Sequence, residues 1–104
     1  MDELIRHIYS SAWEEGVDDA GAAIGPADVV VCLTSGEKFV ASFFSYDQIA
    51  ELRRVHQASG EFLHGTYFWS KHLVLVENCG PPFVRRVVEH LLEEGELAEV
   101  FDKV

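Results

Sequence analysis

Five histidines and two cysteines are the residues of this 104-residue chain best suited to ligate a metal or attack an electrophile. His56, His64 and His72 recur at intervals of eight. Zinc sites are usually assembled from tighter pairs, two cysteines two apart or two histidines four apart, so that both side chains converge on one ion. No such pair occurs here. His64 and His72 would meet only if the chain doubled back between them, with Glu61 or Glu77 supplying a carboxylate. Against that two-histidine site stands the simpler reading of solvated or singly hydrogen-bonded rings. Cys79 precedes Gly80-Pro81 at an expected helix start, where backbone amides would lower a thiol pKa. No cysteine–histidine signature accompanies it, which favours an unreactive loop thiol. Cys32 and Cys79 lack metal spacing and read as plain thiols rather than a disulfide. The carboxylates of Glu14, Glu15, Asp18 and Asp19 cluster in an acidic segment and read as solvated. Gly60 and Gly65 lie between a helix end and a strand, the reverse of a phosphate loop. No catalytic set and no cofactor is expected from these residues.

The aromatic run Tyr67-Phe68-Trp69 is the other chemical feature. On a strand, alternation sends Phe68 to one side and Tyr67 and Trp69 to the other. Either all three fill a core, or the outward pair anchors a partner, a role in which Trp and Tyr are enriched.

Hydrophobic residues make up 48% of the chain, enough for one core in one domain spanning 1–104. Eighteen acidic against eight basic residues give a net charge of −10. That field repels phosphate backbones and anionic lipid, so nucleic-acid and membrane binding are not expected. It would speed the approach of a basic protein partner. Arg53-Arg54 and Arg85-Arg86 are the basic pairs, expected to pair with Glu51 and Glu89 on their own helices. The start, Met1-Asp2-Glu3-Leu4, has no basic segment before an apolar run, so a cytoplasmic protein without a secretory signal is expected.

The elements that must position these residues follow from periodicity. Leu4, Ile5, Ile8, Tyr9, Ala12 and Trp13 recur at helical spacing, predicting a helix over 2–14 stopped by Gly16, with Trp13 in the core. Residues 16–28 read as a mobile acidic connection. Val29, Val31 and Leu33 alternate, as do Phe39, Ala41 and Phe43. A loop at Thr34-Ser35-Gly36, with Gly36 left-handed, sets Val31 opposite Phe39 and puts both apolar sets on one face. Ser45 and Gln48 form a capping box, with Phe44 and Ile49 as its staple, for a helix that buries Ile49, Leu52 and Val55 and ends at Ser59-Gly60. Thr66–Trp69 and Leu73–Glu77 are expected to form a second hairpin about Ser70-Lys71. Leu73–Val76 is apolar on both parities, as is Val29–Leu33, which makes these two strands candidates for the sheet centre. Pro81 opens a helix with Val84, Val87, Val88, Leu91 and Leu92 as its stripe, and a short last helix carries Leu97, Val100, Phe101 and Val104. The expected fold is α+β, an antiparallel four-stranded sheet in the order α-ββα-ββα-α with helices mainly on one face.

Phe43-Phe44-Ser45-Tyr46, Leu52-Arg53, Ser59-Gly60-Glu61, Leu63, Gly65 and Tyr67-Phe68-Trp69 together resemble a pattern shared by small bacterial proteins of unknown function. It covers about residues 28–104, and no activity comes with it. The short, acidic α+β profile is also similar in type to immunity proteins that neutralise bacterial toxins. The expected function is a non-enzymatic interaction module with Trp69, Tyr67, Tyr46 and Glu61 at its binding surface, facing a basic protein or a second copy of itself. The alternative is a small metal-dependent or ligand-binding enzyme that uses His64 and His72.

Overall fold

In the computed structural model, which describes residues 5–15 and 26–104, the first hairpin forms in the expected register. Strands β2 (Ala27–Leu33) and β3 (Lys38–Ser45) pair antiparallel with Val31 opposite Phe39. The Leu33 N–H donates to the Glu37 carbonyl, and Gly36 takes φ +96°, which a residue without Cβ adopts freely. Ala27, Val29, Val31, Leu33, Phe39, Ala41 and Phe43 are all buried, on one face of the sheet. A one-residue slip would have turned half of them to the other side.

The expected first helix is instead a strand, β1 (Ile5–Tyr9), followed by a 3-10 turn over Ser11–Glu15. β1 pairs antiparallel with β2, and a register shift between Ile5 and His7 places Ile5 opposite Leu33 and Ile8 opposite Val31. Both isoleucines therefore pack on the buried face although they are three residues apart. A bulge adds one residue to the strand, so the spacing of a helix reappears in extended chain. Trp13 is a core residue as expected, and its indole N–H donates to the Cys79 carbonyl at 2.9 Å. Gly16 and most of the expected connection lie outside the described residues, and its last two positions, Ala27 and Asp28, already belong to β2.

The second hairpin does not form. Residues 66–69 are not a strand, and β4 (Leu73–Val76) runs parallel to β3, with Phe43 beside Val74 and Ser45 beside Val76. Between β3 and β4 the chain travels out along helix α1 (Tyr46–Ser59) and returns through the short turn α2 (Glu61–Gly65), so β4 re-enters in the direction of β3. The sheet order is β1-β2-β3-β4, and β5 (Asp102–Lys103) pairs antiparallel with β3 at Phe39 and Val40. Among the described residues five strands, all antiparallel but for one pair, replace the expected four. β2 is interior as expected, whereas β4 is an edge with Leu75 exposed.

Helices α3 (Pro81–Glu93) and α4 (Leu97–Val100) close the buried face, bringing Val84, Val88 and Leu97 into the core. Phe101 follows α4 and meets the Phe43 ring edge-on at 5.8 Å. Burying a side chain of that size contributes roughly 1.5–3 kcal/mol. The last helix is shorter than expected because residues 102–103 are drawn into the sheet, which leaves Val104 exposed.

Ser45 caps α1: its hydroxyl accepts from the Gln48 backbone N–H at 3.1 Å, and the Gln48 side-chain Oε1 accepts from the Ser45 N–H at 2.8 Å. Gly60, left-handed, ends the helix by donating to the His56 carbonyl. Arg54 pairs with Glu51, and Arg85 with Glu89 at 3.4 Å on α3. α1 packs chiefly against α2 and the end of β3 rather than on the main core. Val55, expected inside, is consequently 47% exposed.

Candidate functional site

The site is built where α1, α2 and residues 66–69 converge. Phe44 projects from β3 on the side opposite Phe43, by strand parity, and its ring meets Phe68 edge-on at 5.4 Å. Phe68 is 5.2 Å from Phe62 and 6.0 Å from His56, and Phe62 lies 4.7 Å from His56. These rings form a second, smaller apolar cluster that fastens α1 and α2 to the sheet. His56 is 6% exposed inside it, and its Nδ1 has no hydrogen-bond partner among the described residues.

The backbone of α2 winds the wrong way. Phe62, Leu63 and His64 have φ of 52°, 52° and 55°, and Gly65 follows at 76°. For L-residues each left-handed position costs roughly 1–2 kcal/mol, because Cβ crowds the following carbonyl. Several contacts hold the turn. The Thr66 N–H donates to the Phe62 carbonyl at 3.0 Å, and its hydroxyl donates to the Leu63 carbonyl at 2.6 Å. Phe62 is gripped by the aromatic cluster, and Gly65 presses onto α1 so closely that a Cβ there would lie 2.7 Å from the Arg53 carbonyl oxygen. The turn displays its remaining side chains outward: Leu63 is 70% exposed and His64 is exposed.

An open cleft of about 440 Å³ lies between α1 and this turn, lined by Ile49, Arg53, Gln57, His64, Thr66 and Tyr67, with Gly65 and Phe68. Positions 49, 53 and 57 fall one turn apart and share a helix face. Among the described residues the side chains of Arg53, Gln57, His64 and Tyr67 make no hydrogen bond and no ion pair. Sequence reasoning singled out His64 and Tyr67 here but missed Arg53, Gln57 and Leu63. The available signal was the spacing of 53 and 57 on α1 and the glycine at 65. A left-handed run of Phe, Leu and His has no sequence mark of its own.

The aromatics weighed between core and surface divide. Phe68 is half-buried, while Trp69 is 63% and Tyr67 50% exposed, and Tyr46 is exposed at the start of α1. Glu61 is also exposed, its carboxylate accepting from the Ser59 hydroxyl at 3.1 Å. The two histidines expected to meet across a hairpin do not share a site, because that hairpin is absent. His72 lines a different cleft with Asp28, Val40, Ser42, Lys71 and Asp102. There its Nδ1 donates to the Val100 carbonyl at 3.0 Å, leaving Nε2 3.9 Å from the Asp102 carboxylate. Among the described residues no three His, Cys, Asp or Glu side chains gather as a metal site.

Cys79 is buried, and burial pushes its thiol up to about 11 against hydrogen bonds from the Ala27 and Ser45 backbone. The expected lowering at a helix start is reversed by desolvation, which disfavours the thiolate. Both cysteines are free thiols. Among the described residues no helix is long and apolar enough to cross a membrane.

No family model, curated protein or solved structure matches this chain. Its function is therefore argued from the site itself.

Proposed function

We propose that this protein is a non-enzymatic interaction module that docks a basic protein partner through the exposed side chains of α1, the α2 turn and the connection to β4. The observation that carries this reading is the exposure of Tyr46, Leu63, Tyr67 and Trp69 on a unit that stands apart from the main core. Large aromatics left in water mark binding surfaces, and Trp and Tyr are frequent anchors there. The net charge of −10 supports a basic partner, since complementary fields speed encounter. A toxin neutralised by this chain is the particular case supported by the likeness in type to immunity proteins. Glu61, exposed beside the aromatics in sequence, offers a carboxylate to such a partner.

Coexpression with the products of the genes adjoining its own tests the proposal. A stable complex with a basic product is expected, and Trp69→Ala should weaken it by about 2 kcal/mol, roughly thirtyfold, with the melting temperature unchanged. If Trp69→Ala lowers the melting temperature and leaves binding intact, Trp69 is a packing residue and the proposal fails. A dimer mass in light scattering that Trp69→Ala converts to monomer would replace the foreign partner with a second copy.

A further inference from the structure

We infer that the cleft between α1 and the left-handed turn is a binding site for a carboxylate attached to an apolar group, adjoining the aromatic surface and sharing Tyr67 with it. The lining carries a guanidinium from Arg53 and an imidazole from His64, with the Gln57 amide and the Tyr67 hydroxyl, and among the described residues it contains no acidic side chain. That composition stands against the rest of the chain, where eighteen acidic residues face eight basic ones. Arg54, the neighbour of Arg53, is neutralised by Glu51, whereas among the described residues Arg53 has no carboxylate partner. On α1 the helical spacing turns Asp47 and Glu51 away from the stripe of Ile49, Arg53 and Gln57. An anion entering the cleft therefore meets donors, with no carboxylate among the described lining side chains.

The planar fork of arginine matches a carboxylate with two parallel hydrogen bonds. Ile49 and Phe68 supply the apolar wall that an aliphatic or aromatic body would cover. The volume, about 440 Å³, falls within the range in which pockets of roughly 300–1,000 Å³ hold small organic molecules. The backbone also bears on the site. Three consecutive left-handed residues, Phe62 to His64, keep the imidazole at the rim, and such strain persists only where surrounding structure enforces it. The Gly65 contact with the Arg53 carbonyl is part of that enforcement, and it couples the turn to the segment of helix that carries the guanidinium.

The carboxylate can belong to a small free acid or to the C-terminus of a peptide, and two probes separate these. Phenylacetate and an N-acetylated tripeptide ending in phenylalanine are titrated into the intact protein and followed by amide chemical shifts, with the tripeptide amide as control. Shifts are expected at Gly65, Thr66 and Tyr67 for both acids and not for the amide. Tighter binding of the peptide acid assigns a chain terminus, and equal or tighter binding of phenylacetate assigns a free acid. Arg53→Gln should weaken either acid about tenfold or more, with Arg54→Gln unchanged, because a charge-assisted bidentate pair is lost in one and not the other. Arg53→Lys, which keeps the charge but not the fork, should fall between them. The inference is overturned if neither acid moves these amides at millimolar concentration, if the amide binds as well as the acid, or if Arg54→Gln weakens binding as much as Arg53→Gln.

Discussion

Replacing Gly65 with alanine tests whether the left-handed turn is held by backbone contact with α1, and Gly36→Ala provides the reference. Both glycines have positive φ, +76° and +96°, so both substitutions incur the left-handed penalty of roughly 1–2 kcal/mol. Part of that is offset, by about 0.4–1 kcal/mol, because alanine restricts the unfolded chain. At Gly36 the added methyl meets nothing within 4 Å, so its net cost should be about 1 kcal/mol or less. At Gly65 it would lie 2.7 Å from the Arg53 carbonyl oxygen and 3.0 Å from Gln57 Cγ. The glutamine stem can rotate; the carbonyl belongs to the helix backbone and cannot move without bending α1. Overpacking of this kind adds about 1–3 kcal/mol, which brings Gly65→Ala to roughly 2–4 kcal/mol in all. At this chain length about 4–8 °C accompanies each kcal/mol, so its melting temperature should drop by roughly 8–32 °C. Urea and thermal unfolding followed by far-ultraviolet circular dichroism would measure both variants. Equal losses at the two positions would refute the argument, because they would show that the turn moves off α1 at no cost.

Two further predictions concern the elements around the site. Ser45→Ala removes the acceptor of the Gln48 N–H and should destabilise the protein by about 1 kcal/mol in urea unfolding, the usual cost of losing a helix cap. The Cys79 thiol, raised from 9.0 to about 11, makes stability fall as pH rises through that window. Below it both folded and unfolded chains keep the proton and the group contributes nothing; within it the unfolded chain ionises first and is favoured; above it the loss is complete. Urea midpoints measured across the window should decline more in the wild type than in Cys79→Ala, and parallel declines would show that the thiol is not protected by burial.

The α1 unit was the most legible part of the fold because its signals are local. Ser45, Gln48 and Gly60 act on amides within a few residues, so their types and spacing suffice. The β2–β3 register was legible for a similar reason, since a three-residue loop closed by Gly36 leaves little choice. The first strand is not legible, because a bulge lets Ile5 and Ile8 share a face at a spacing of three, which periodicity alone assigns to a helix. The strand at Leu73–Val76 is legible, but its pairing is not, for a different reason. Pairing direction depends on where a chain re-enters the sheet, and a route of α1 plus a left-handed turn makes that entry parallel. His64 and His72 were separated by that same route.

The candidate site divides in the same way. Sequence by itself determined the single acidic α+β chain, the inward β2–β3 face, the capped helix and the interest of His64, Tyr67 and Trp69, because composition, alternation and capping are carried by neighbouring residues. Tertiary structure decided that Tyr67 and Trp69 face water, that Arg53 joins His64 at one cleft, and that Cys79 is buried and holds its proton. Those outcomes depend on desolvation and on contacts between segments distant in the chain, such as β2, α1 and the loop before α3, and such contacts exist only once the sheet is assembled.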